Sequence, residues 1–195
     1  IQALIDGRPR RNDPYTGLDD RAEQPQPESF QSIQFIPAYI IAGPARLFRA
    51  SSSTAFIALG FFASILSFGA IYWLLKNLIK DDRVAAVGAL AILCFGTLVA
   101  RQGLVHLVSS GHQYLFLPFL RRFEPALPFP LFFMFCAAVW KSLTRDKGTI
   151  FWAITAGVFF AVLVYSYFYL WTAALAWVLC LTIVWLVAEP KRFWK

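Results

Sequence analysis

Both histidines of the chain, three arginines and four prolines fall within residues 101–130, RQGLVHLVSSGHQYLFLPFLRRFEPALPFP. Arg101, Arg121 and Arg122 are the groups there best suited to phosphate. A guanidinium presents forked donors and stays charged beside lipid, its pKa lying above about 12. With His112, Gln113 and Glu124 they make a candidate site for an anionic substrate, in a backbone broken by Pro118, Pro125, Pro128 and Pro130. The competing reading is a solvated loop whose arginines snorkel to headgroups. His106 and His112 stand six residues apart, on opposite faces of any helix, so they are not the i, i+4 pair of a metal site. Nucleotide-type phosphate loops, nucleophile elbows and HExxH are absent from the sequence. Nothing in the pattern requires a cofactor; a divalent metal stays open, since Asp13, Asp19, Asp20 and Glu28 could serve as ligands, but no ligand spacing supports it.

Two further groups carry chemistry. Asp13, Asp19 and Asp20 lie in the polar N-terminal region and are the candidate catalytic carboxylates, although adjacent acids in such a region are more often simply solvated. Tyr165, Tyr167, Tyr169 and Trp171, in YSYFYLW, form an aromatic cluster. Its plain reading is a belt at a membrane interface; its functional reading is a set of ring faces that stack on a sugar or an isoprenoid chain.

The elements that must position these residues follow from composition. Of the 195 residues, 58% are hydrophobic, 17% aromatic and only 15% charged, against about 25% charged in an ordinary soluble domain. That balance points to an integral membrane protein. The net charge of +7 then reports topology and not affinity for nucleic acid. Cys94, Cys136 and Cys180 each sit in an apolar run without a CxxC spacing, so they read as small core residues.

The expected fold is all-α: a polytopic transmembrane helical bundle with an outer N-terminal loop carrying short interfacial helices. Residues 1–29 are polar and punctuated by proline and glycine. Residues 30–48 are partly apolar but interrupted, which fits a helix or two lying at the interface. Residues 1–53 are thus an outer loop, closed by Ser51, Ser52 and Ser53 as a helix cap. Spans are expected at about 54–79, 84–100, 125–143, 150–165 and 170–188. The last two divide one uncharged run, Ile150–Ala188, of 39 residues. As a single helix it would reach about 58 Å, about twice the hydrocarbon thickness, so a turn is expected around Tyr165–Leu170. Residues 189–195 are then a cytoplasmic tail.

Nine basic residues fix the orientation. Lys76, Lys80 and Arg83, then Lys141, Arg145 and Lys147, then Lys191, Arg192 and Lys195 all fall on one side of five alternating spans. That side is cytoplasmic by the bias of basic residues in short loops. Residues 1–53, the 101–124 stretch and the Tyr165–Leu170 turn share the outer side. Arg101, Arg121 and Arg122 violate the bias, which is why they call for another role.

The layout resembles the multi-pass GT-C glycosyltransferases. Residues 6–17, DGRPRRNDPYTG, are similar to the turn found in many first outer loops of that family, and residues 31–59 resemble the loop's exit into the next span. Arg122-Phe123-Glu124-Pro125 is similar to the family's entry to a later span. The resemblance implies transfer of a sugar from a polyprenyl-phosphate donor on the outer side of a membrane, here a bacterial inner membrane. It implies membrane lipid and a lipid-linked sugar as partners and no required cofactor. It also implies an acidic residue at the outer end of a first helix. That helix is expected upstream of Ile1, so the true base is expected there and Asp13, Asp19 and Asp20 are stand-ins. A ligase or polymerase of surface polysaccharide and a transporter-like membrane protein are the alternatives; the transporter would show inverted repeats, and none is visible.

Overall fold

The computed structural model describes residue 5 and residues 35–95, 123–145 and 147–188, and among these it is all-helical. The helices are α1 (Ile36–Leu47), α2 (Ser52–Leu78), α3 (Asp82–Phe95), α4 (Phe123–Ala126), α5 (Pro128–Thr144), α6 (Thr149–Val164) and α7 (Phe168–Ala188). Two of them, α2 and α7, are long and apolar enough to cross a membrane. At 27 and 21 residues they extend about 40 and about 32 Å. The apolar helices α5 and α6 are shorter, at 17 and 16 residues.

Local chemistry sets the boundaries. Ser51 caps α2: its hydroxyl accepts from the Thr54 N–H at 3.2 Å. Asp81 caps α3 in the same way, accepting from the N–H groups of Arg83 at 2.8 Å and Val84 at 3.2 Å. α4 and α5 are separate elements where one span from 125 was expected, because Pro128 and Pro130 have no N–H to continue the ladder across Leu127. Both prolines sit at the start of α5, where a missing donor costs little. Gly148 precedes α6 with φ of +81°, a left-handed conformation that glycine adopts without strain.

α5 is the central helix, packed between α2 and α6. Its residues Phe135, Cys136, Ala137 and Ala138 are all buried. Phe135, Cys136 and Ala138 join Ala156 and Leu163 of α6 and Ala174 of α7 in one core. Ile71 of α2 with Ala89 and Leu93 of α3 forms the other. Small residues mark the contact faces: Ala63, Ser67 and Ala70 on α2, and Ala85 and Ala89 on α3, are buried. Gly88 brings α3 close to α2, since a Cβ there would stand 2.9 Å from Leu75 Cδ1. This is how helices pack when apolarity alone does not choose a face. Cys180 departs from the expected core position, because it lies exposed on α7.

Candidate functional site

One end of the helix set gathers the start of α1, the turn between α6 and α7, and α4. α1 is a single helix with Pro44 inside it and Pro37 in its first turn. Pro37, Ile41 and Ala45 recur every four residues and turn inward, while Tyr39, Ile40, Leu47 and Phe48 stay exposed. The helix is tied down at its beginning. The Ile36 N–H donates to the Tyr165 carbonyl at 3.2 Å, and the Phe35 and Tyr165 rings meet at 5.7 Å. α4 packs against both α1 and α2.

The α6–α7 turn closes on Leu163, whose carbonyl accepts from the N–H groups of Ser166 and Tyr167, each at 3.0 Å. The three candidate tyrosines divide there. Tyr165 turns to Phe35, whereas Tyr167 and Tyr169 face each other at 5.5 Å, with Phe168 against both Tyr169 and Trp171. Tyr169 is 69% exposed and Tyr165 44%, so both leave ring surface open for stacking. Ser166 is fully buried between them, and its hydroxyl has no partner among the described residues. Glu124 lies within α4, at this same end. Asp13, Asp19, Asp20, Arg101, His112, Gln113, Arg121 and Arg122 lie outside the described residues.

The opposite end holds a second cluster, which the sequence pattern did not single out. Lys141, in the last turn of α5, is only 8% exposed, and its Nζ sits between two indoles. It lies 4.5 Å from the centroid of Trp73 on α2 and 4.4 Å from that of Trp152 on α6. The two rings are 5.9 Å apart. A cation over an aromatic face is attracted by the ring quadrupole, so this arrangement staples three helix ends. The links that follow α2 and α5 carry the basic residues Lys80, Arg145 and Lys147. Lys76 pairs with Asp82 at 3.0 Å, both side chains well exposed, so that pair adds little stability. Among the described residues no cluster of three His, Cys, Asp or Glu side chains could hold a metal ion.

No protein-family model, curated protein or solved structure matches the chain. The functional reading therefore rests on the chain itself.

Proposed function

We propose that the chain is a multi-pass membrane protein in which α2, α3, α5, α6 and α7 cross the bilayer and α1 lies along its surface. Exposed apolar side chains support this. Phe61 and Phe62 on α2, Ile154 on α6, and Leu179 and Val184 on α7 are each more than half exposed. In water such surfaces would cost about 25 cal/mol per Å², whereas lipid accepts them freely. A soluble core helix would be buried; the most apolar windows of α2 and α7 are only 22% and 6% buried. The shorter α5 and α6 would cross with local thinning of the bilayer or with help from flanking residues.

The proposed activity is transfer of a sugar from a polyprenyl-phosphate donor, in the manner of the GT-C glycosyltransferases. The observation that carries it is the docking of α1 on the Tyr165 turn beside α4. That end collects exposed tyrosine rings and Glu124. In sequence, Arg122 directly precedes α4. In this reading Arg101, Arg121 and Arg122 hold the lipid phosphate through forked, charge-assisted hydrogen bonds, each worth about 1.5–3 kcal/mol. Tyr167 and Tyr169 stack on the sugar or the first isoprene unit. The base is an acid of the N-terminal region, with Asp13, Asp19 and Asp20 the candidates. The proposed location is a bacterial inner membrane, with this end outward.

Retention of a radiolabelled polyprenyl-phosphate sugar by the protein in nanodiscs tests the reading. Arg101→Ala weakens retention at least tenfold, and lysine restores it only in part because it lacks the fork. If alanine at all three arginines leaves retention within twofold, the arginines are interfacial anchors and the activity assigned here is wrong.

A further inference from the structure

The elbow between α1 and α2 carries apolar surface and unpaired charge side by side. Leu47 and Phe48 are each 77% exposed, more than any other large apolar side chain among the described residues. Ile57, in the second turn of α2, is 73% exposed. Arg46 and Arg49 flank the Leu47–Phe48 pair in sequence and are exposed too. Neither has a carboxylate partner among the described residues, and from Ser29 to Lys80 the sequence holds no Asp or Glu. The elbow is therefore apolar and basic at once.

The backbone adds a second observation. The Ala50 N–H donates to the Ala45 carbonyl at 2.8 Å, and the Arg49 N–H to the Arg46 carbonyl at 3.2 Å. These two bonds make the Schellman turn that ends many helices, and its left-handed residue is usually glycine. Here that residue is Arg49, with φ of +52°, and no other non-glycine residue among those described has a positive φ. A Cβ strains this conformation, whereas glycine adopts it freely. The charge at Arg49 is thus retained against local strain.

We propose that this elbow is a docking surface for anionic phospholipid. Leu47 and Phe48 enter between the acyl chains, and Arg46 and Arg49 bind headgroup phosphates on either side of them. The inference rests on the reading of α1 as a surface helix beside the α2 span, and it adds which lipid that surface selects. Charge complementarity chooses the occupant. The apolar pair alone would suit any lipid; two unpaired guanidiniums beside it suit a surface that is apolar beneath and negative above. Arginine fits both layers, because its stem lies along apolar surface while its forked donors reach phosphate oxygens.

The test uses the full chain, with Cys94, Cys136 and Cys180 changed to alanine, in vesicles of equal phosphatidylglycerol and phosphatidylcholine. A bimane fluorophore is attached to Phe48→Cys, and one lipid at a time is brominated high on its acyl chains. Quenching then reports both insertion and which lipid lies beside the elbow. A second bimane, on Phe62→Cys at the exposed side of α2, reports the span. The Phe48→Cys probe is quenched more by brominated phosphatidylglycerol than by brominated phosphatidylcholine, and the Phe62→Cys probe equally by both. Arg46→Gln and Arg49→Gly each lower the preference at the Phe48→Cys probe about fivefold, the effect of one basic residue at an anionic surface. Arg49→Gly does so without a fall in Tm, since glycine accepts the left-handed turn. Equal quenching of the Phe48→Cys probe by the two lipids overturns the proposal, as does a preference unchanged within twofold when both arginines are replaced. An unquenched Phe48→Cys probe beside a quenched Phe62→Cys probe also overturns it and leaves the span standing. An unquenched Phe62→Cys probe overturns both readings.

Discussion

Replacing Trp73 by leucine removes one of the two faces that hold Lys141, and the structure sets the size of the effect. A cation–π contact is worth about 0.5–1 kcal/mol at an exposed site and about 2 kcal/mol when desolvated. With Lys141 only 8% exposed and its Nζ 4.5 Å from the Trp73 centroid, the desolvated figure applies. Trp73→Leu also loses packing, so the single variant overstates the contact. A double-mutant cycle removes that excess. Lys141→Met keeps the aliphatic stem and deletes the charge; in that background Trp73→Leu loses packing alone. The difference between the two Trp73→Leu costs is expected to be about 1.5–2 kcal/mol. Reversible unfolding in mixed micelles, followed by far-ultraviolet circular dichroism, measures all four proteins. A coupling below about 0.5 kcal/mol, the scale of ordinary additivity, would show that the ammonium is merely parked between the rings.

Other consequences are simpler. Ser51→Ala deletes the acceptor of the Thr54 N–H and costs about 1 kcal/mol in the same unfolding assay, while Ser51→Asp keeps most of it. Gly88→Ile drives a branched side chain into Leu75 and costs about 1–3 kcal/mol; Gly88→Ala costs less, because its methyl meets only the movable end of Leu75. Phe35→Ala removes the ring that covers Tyr165, so the Ile36 amide exchanges with solvent faster than the amides of α5.

Parts of this architecture are written plainly in the chain, and parts are not. The helical character follows from long uncharged runs. The Ser51 cap follows from a hydroxyl placed just before such a run. The packing faces were harder to see. α7 is apolar on every side, so no stripe marks the buried one; only the small Ala174 does. The docking of α1 runs through the Ile36 amide and the Tyr165 carbonyl, which no side-chain pattern encodes. Lys141 read as one more topology-setting base, because its partners Trp73 and Trp152 belong to two other helices and meet it only after packing. Of the candidate site, the tyrosines serve two different contacts although they alternate in sequence.

In the proposed topology the α1 end and the Lys141 end face opposite sides of a membrane. Gly43, exposed on α1 with open space around it, and exposed Lys147, beyond α5, are the reporter positions. Each is changed to cysteine in a chain whose Cys94, Cys136 and Cys180 are alanine, and whole cells are treated with a membrane-impermeant maleimide. Gly43→Cys labels in intact cells, and Lys147→Cys labels only after permeabilisation. Labelling of both positions in intact cells, or of Lys147→Cys alone, contradicts the account.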